Sequence, residues 1–98
     1  MVDFYVVYDA VEDFGGWHHL TTNAEDGYTC WYREDDPRYE MVFFNWDLDD
    51  SDEGCGIRID SRHDGESKDV LELFLDDLDP RDIEDRVIEF LEDAEDIL

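Results

Sequence analysis

Basic residues are scarce in this sequence. The 98 residues contain seven Lys and Arg, of which only Lys68 is a lysine, against 31 Asp and Glu, and the formal net charge is −24. Such a chain has no means of neutralising the phosphates of a nucleic acid, so we expect no direct binding to DNA or RNA. Attraction to an anionic membrane surface is disfavoured for the same reason.

Cysteine and long hydrophobic runs are also scarce. Cys30 and Cys55 are too few for a disulfide framework, and a free cysteine in a strand usually packs as a small buried side chain. A disulfide, or a reactive or metal-binding role, is the alternative for this pair. No segment approaches the ~20 apolar residues of a membrane span. The first residues lack a basic region, and Asp3 and Asp9 interrupt their apolar run, so we expect no secretory signal and a cytoplasmic protein.

Catalytic and cofactor motifs are absent from the sequence. It contains no Gly-rich phosphate loop and no nucleophile elbow, and carboxylate pairs carry no information in a chain with 31 acids. His18 and His19 are adjacent and would face opposite sides of a strand, while His63 is isolated, so no zinc-binding spacing arises. We therefore expect no enzyme activity, no metal site and no cofactor.

The hydrophobic content indicates a folded protein. Hydrophobic residues make up 42% of the chain and aromatic residues 14%, which is too many for an acidic disordered segment. The length suits a single domain over residues 1–98. Trp17, Trp31 and Trp46 are either core residues or, for one or two of them, part of a protein-binding patch beside acids.

Hydrophobic periodicity predicts five strands and two helices. Alternating residues favour the strands, and the residues at 38–46 are apolar on both faces, which is typical of a central strand. The stretch Val70–Leu75 is compatible with either a helix or a last strand. The predicted fold class is α+β, an antiparallel β-meander of about four to five strands followed by two C-terminal helices packed on one face. The predicted strands are 2–8, 17–22, 28–33, 38–46 and 55–60, and the predicted helices are 69–78 and 80–96.

The last helix combines an apolar face with an acidic face. Asp79 is its predicted N-cap and Pro80 its first residue. Eight acids lie within residues 82–96, or one acid per ~2.6 Å of helix axis, against one charge per ~1.7 Å in duplex DNA. Many of them are like-charge neighbours at i,i+4, which destabilises a helix where Lys would stabilise it. Such a face is either simply solvated or selected for something other than helix stability.

A second dense group of acids lies in the predicted loop between the fourth and fifth strands. The group does not form an EF-hand, because Asp52 stands where the required glycine would be and Arg58 where the required glutamate would be. A solvated hairpin loop, adventitious cation binding and contact with basic groups of a partner are the three interpretations. The five acids are Asp47, Asp49, Asp50, Asp52 and Glu53.

Charge and size together suggest a protein-binding inhibitor. In these two properties the chain resembles nucleic-acid-mimicking phage inhibitors of restriction or CRISPR systems, and immunity proteins that neutralise nuclease toxins. The resemblance implies a basic nucleic-acid-binding protein or nuclease as the partner, whose cationic groove the acids would occlude. The alternative is a cytosolic domain adapted to high salt, whose acids serve solubility. The predicted partner-binding residues are the five acids of the loop together with Asp82, Asp85, Glu89, Glu92, Asp93 and Asp96.

Overall fold

The computed structural model describes residues 3–46, 54–63 and 65–98. Its elements are α1 (Phe4–Phe14), β1 (Trp17–Asn23), β2 (Tyr28–Arg33), β3 (Tyr39–Phe44), β4 (Gly56–His63), β5 (Glu66–Phe74) and α2 (Ile83–Ile97). The strands form one antiparallel sheet in the order β1-β2-β3-β4-β5. The α+β class and the five-stranded antiparallel meander are confirmed. The prediction of two C-terminal helices is wrong, because one helix precedes the sheet and one follows it.

The first element is a helix, and the predicted strand at 2–8 is wrong. The alternation that predicted the strand covers a stretch in which nearly every residue is apolar, so it is equally compatible with helical spacing. Val7, Ala10 and Val11 are the buried residues of α1 and recur every three to four positions. The Asp3 carboxylate accepts a hydrogen bond from the Tyr5 amide at 3.0 Å and caps the helix. Gly15, with φ of 81°, ends it.

The fifth strand occupies most of the stretch predicted as a helix at 69–78. Leu71 and Leu73 pair with Ile59 and Ile57 of β4 and pack against the core, while Phe74 is 47% exposed. The predicted capping pair, Asp69 and Glu72, therefore lies within a strand. Helical and strand periods compete in this segment, and the unpaired edge of β4 decides the outcome because it supplies a row of hydrogen-bond partners.

The last helix begins at Ile83, three residues later than the sequence predicted. Its N-cap position is Asp82, whose side chain makes no capping hydrogen bond. Asp79, the predicted cap, instead accepts hydrogen bonds from the backbone and guanidinium of Arg81 at 3.0–3.3 Å, in a turn that precedes the helix. The local bond to Arg81 replaces the expected cap.

Both helices contribute to one core on a single face of the sheet. The predicted strands at 17–22, 28–33, 38–46 and 55–60 correspond to β1–β4, and β3 is the central strand. Its Met41 and Phe43 are fully buried, and the helices contact each other above the sheet. The fully buried residues that form this core with them are Val7, Val11, Trp31, Ile57, Ile59, Leu75, Val87 and Leu91.

The tryptophans are core residues. Trp17 and Trp31 are buried, and Trp46 packs against the core with its ring centroid 4.5 Å from that of Phe4. The exposed aromatic residues are Tyr5 and Phe74, at 70% and 47%. The interpretation of a tryptophan patch at the surface is therefore wrong.

Candidate protein-binding surface

The six acids predicted on the last helix all lie on its solvent side. The opposite side is buried through Ile83, Val87, Phe90, Leu91 and Ala94, which fixes the rotation of α2 on the sheet. The exposed acids are Asp82, Asp85, Glu89, Glu92, Asp93 and Asp96. The structure therefore brings this half of the predicted site onto one surface. Asp47, Asp49, Asp50, Asp52 and Glu53, the other half, lie outside the described residues.

Little opposes the negative charge of this helix surface. Within the described part of the chain its acids have one ion pair, in which Arg86 Nε lies 3.9 Å from Glu89. That pair is weak, because the two side chains are 48% and 66% exposed. Asp85–Glu89 and Glu89–Asp93 are like-charge i,i+4 neighbours, and no basic residue lies in the last turn to favour the helix dipole.

Glu95 differs from the other acids of α2 because it holds the helix to the sheet. Its two carboxylate oxygens accept hydrogen bonds of 2.8 Å from the Arg33 guanidinium at the end of β2. Arg33 is 8% exposed and lies over the Trp17 ring at 5.5 Å. The hydrogen bonds from Arg33 lower the pKa of Glu95, so the carboxylate stays ionised.

The first helix adds acids that the sequence-based site did not include. Asp9, Glu12 and Asp13 are exposed on α1, and Tyr5 lies on the same side. Glu12 also accepts a hydrogen bond of 3.1 Å from the Trp31 indole. Their spacing of three to four residues would have placed them on one helix face, but the strand prediction for 2–8 concealed it. The two helices together form an acidic layer, here called the helical surface.

Charge is divided unequally between helices and strands. The two helices hold ten Asp and Glu and one Arg in 26 residues. The five strands hold five Asp and Glu and four Lys and Arg in 36 residues. The helices therefore carry a formal charge of −9, while the strands are nearly neutral at −1.

The arginines are already engaged with carboxylates of the same chain. Each of the six lies within 4.0 Å of an acid, so each arginine has a nearby carboxylate in the same chain. The pairs are Arg33–Glu95, Arg38–Asp36, Arg58–Asp60, Arg62–Glu40, Arg81–Asp79 and Arg86–Glu89.

The sheet face opposite the helices has a different chemistry. Arg58 Nε lies 3.1–3.2 Å from the Asp60 carboxylate and 4.0 Å from Asp69 on the neighbouring strand, with its guanidinium over the Phe44 ring. Burial raises the pKa of Asp60, the hydrogen bond with Asp69 adds to this, and Arg58 opposes it. On this open face Asp60 is buried and paired with Arg58, while Asp69 is exposed.

A groove separates the edge of the sheet from the last helix. It has a volume of about 100 Å³. Leu71 and Leu73 of β5 and Phe90 of α2 supply its apolar part, and it is also lined by Glu72, Arg86, Glu89 and Asp93. Two of the acids predicted from the sequence, Glu89 and Asp93, therefore lie beside an apolar cleft.

The histidines and cysteines of the described ranges do not form a metal-binding group. No group of three or more His, Cys, Asp or Glu that could hold a metal ion is found among residues 3–46, 54–63 and 65–98. His18 stacks on Tyr32 and His19 bonds to Thr29, on opposite sheet faces as expected. Both cysteines are free and buried, and burial raises the pKa of Cys55 to about 11, so that thiol stays protonated.

Comparisons with known proteins find no relative. No family model, no curated protein and no solved structure matches the chain significantly. None of the helices in the described residues is long and apolar enough to cross a membrane.

Proposed function

We propose that the protein is a small inhibitor that binds the cationic groove of a nucleic-acid-binding protein or nuclease. The helical surface would occupy the sites of the phosphates and exclude the nucleic acid. The observation that carries the proposal is the division of charge, −9 on the helices and −1 on the strands. The remaining −14 lies outside these seven elements, but an acidic coat that serves only solubility has no reason to charge the helical layer and spare the sheet.

The arrangement of basic residues supports the same function. The helical surface has only Arg86 among its cations, while Arg58 and Arg62 lie on the open sheet face. A basic partner would therefore be attracted to one side of the molecule, and this complementarity speeds association more than it slows dissociation. The placement of arginine favours this function over salt adaptation, which requires no such polarity.

The test compares two triple variants with the same loss of charge. The first changes Glu89→Gln, Glu92→Gln and Asp93→Asn on the helical surface. The control changes Glu25→Gln, Glu34→Gln and Asp77→Asn, three exposed acids outside the helices. Both triples reduce the net charge equally, so they separate the position of the charge from its amount.

The measurement is capture from a cell lysate at physiological salt, with mass spectrometry and with duplex DNA as competitor. We expect the unaltered protein to retain nucleic-acid-binding proteins that duplex DNA releases. The helical triple should weaken their binding about tenfold or more, mainly through slower association, and the control triple by much less. Failure to capture any DNA-displaceable protein, or equal retention by both triples, would remove the proposed function and leave salt adaptation.

A further inference from the structure

We propose that the groove between β5 and α2 receives an arginine side chain of the basic partner. This inference rests on the proposed function and assigns to one cleft the contact that gives the interaction its specificity. The cleft is lined by Leu71, Leu73 and Phe90 together with charged residues of α2. At this cleft apolar and acidic groups of the described residues are combined.

The apolar residues of the groove match the stem of a long basic side chain. Arginine and lysine pack their methylene groups along apolar surface while the charged head stays at a polar rim. Leu71 and Leu73 are half-buried and Phe90 is 4% exposed, so they offer a fixed apolar wall rather than a mobile one. A phosphate or another anion would gain nothing from such a wall.

The charged residues of the groove match the head of that side chain. Glu89 and Asp93 are one helical turn apart on α2, so their carboxylates lie on the same side of the helix. Guanidinium presents donors in a planar fork that two carboxylate oxygens can accept together, which favours arginine over lysine. The surrounding charge of the helical surface adds attraction that brings the partner to the groove.

Arg86 is the only cation that lines the groove, and it competes with the incoming side chain. Its Nε lies 3.9 Å from Glu89, beyond hydrogen-bonding distance, and both side chains are largely solvated. Displacing so weak a pair is easy, and a guanidinium from the partner would reach Glu89 with better geometry. Arg86 thus limits binding of weaker cations to the groove.

A matched pair of double variants tests the groove. Glu89→Gln with Asp93→Asn removes the two acids of α2 that line it and leaves Glu72 of β5 in place. Glu92→Gln with Asp96→Asn removes two exposed acids from the same helix, with the same i,i+4 spacing and the same loss of charge. Circular dichroism confirms that both variants remain folded. The probe is a fluorescently labelled hexa-arginine peptide, and the measurement is its Kd by anisotropy at physiological ionic strength.

The groove variant should bind hexa-arginine about tenfold more weakly than the control variant, because charge-assisted bonds are lost only there. Arg86→Gln should strengthen binding by a factor of about three, by freeing Glu89. A peptide of six 2-amino-3-guanidinopropionic acid residues, with the same guanidinium heads but a one-methylene stem, should not distinguish the two variants. In NMR, hexa-arginine should shift the amides of Leu71–Leu73 and Phe90.

Three outcomes would contradict the proposal that the groove receives an arginine side chain. Equal losses in the two variants would show that arginine is held by the general field of the helical surface, and the proposed function would stand without the groove. If the groove variant weakens the binding of the short-stemmed peptide as much as it weakens the binding of hexa-arginine, relative to the control variant, the apolar wall is not used. Absence of hexa-arginine binding to the unaltered protein would remove the groove proposal directly, whereas the proposed function is judged by the DNA-displaceable capture.

Discussion

The helical surface and the open sheet face both carry acids, but the acids differ in burial and in ion pairing. On the sheet face Asp60 is 8% exposed and its charge is opposed by Arg58. On the helical surface Asp85, Glu92 and Asp93 are exposed and have no ion pair in the described part of the chain. The chain therefore contains arginines suited to neutralising acids but places only one of the six, Arg86, within α2. The difference shows that position, not composition alone, distinguishes the acids of the helices.

Two glutamates on α2 give the largest expected contrast in stability. Glu95→Gln should destabilise the fold by about 1–2 kcal/mol, because Arg33 keeps its burial but loses its counter-ion, with a discount for the partial exposure of Glu95. Glu92→Gln, the same substitution on the exposed side, should leave the free energy of unfolding unchanged or slightly increased. Urea unfolding measures both.

The same ion pair has a defined dependence on pH. The pKa of Glu95 is lowered in the folded state, so its stabilisation is present above the unfolded value of about 4.3 and is lost as the pH falls through the folded pKa. The stability difference between the unaltered protein and the Glu95→Gln variant should therefore shrink in acid. A difference that is constant from neutral pH to strongly acidic pH would show that the pair is not formed in solution.

A smaller effect concerns repulsion within the helical surface. The triple Glu89→Gln, Glu92→Gln, Asp93→Asn removes like-charge i,i+4 pairs that each cost about 0.2–0.5 kcal/mol, so it should raise the urea midpoint at low salt. The control triple Glu25→Gln, Glu34→Gln, Asp77→Asn should raise it less. Urea unfolding is compared at about 0.01 M and about 1 M NaCl, where the Debye length falls from about 30 Å to about 3 Å.

Added salt should stabilise the unaltered protein and should reduce the difference between the urea midpoints of the two triple variants. If both triples respond identically at low salt, the acids of the helices are no more crowded than those of the loops. The contrast between the two faces would then concern the arginines alone.

The smallest expected effect is on the sheet face and concerns Asp60→Asn. The raised pKa of Asp60 means that the folded state favours its protonated form. Its contribution to stability is therefore present in acid and is lost as the pH rises through the folded pKa. Because asparagine carries no charge, the Tm of the variant relative to the unaltered protein should be higher at pH 7 than at pH 3. Arg58 offsets part of the penalty, which keeps the effect small. A relative Tm that falls with rising pH would reverse this interpretation.

The sequence predicted the parts of the fold in which one period dominates. The segments of β2 and β4 alternate clearly, β3 is apolar on both faces, and the acidic face of α2 follows from a spacing that no strand could produce. The segments Phe4–Phe14 and Glu66–Phe74 are different, because in each the apolar residues satisfy both periods over a short stretch. Pairing with β4 and packing against α2, both distant in sequence, decide these segments.

The candidate surface was predicted only in part for the same reason. The acids of α2 were found because their helix was found, whereas Asp9, Glu12 and Asp13 were missed with α1. The groove could not be predicted at all. It joins Leu71 and Phe90, which come together only when a strand assigned as a helix takes its place at the sheet edge.

The contact between α1 and α2 has a consequence for the order of folding. Each strand pairs with its neighbour in the chain, so hairpins of the meander close over short loops and form early. The first helix lies beside the last, about seventy residues away along the chain, and its Tyr8 and Phe4 rings also pack on Trp31 of β2 and Phe43 of β3. During synthesis Phe4–Phe14 is made first, and it can pack on the sheet well before its helical neighbour Ile83–Ile97 leaves the ribosome. The part of its apolar side that packs against α2 stays uncovered throughout that interval.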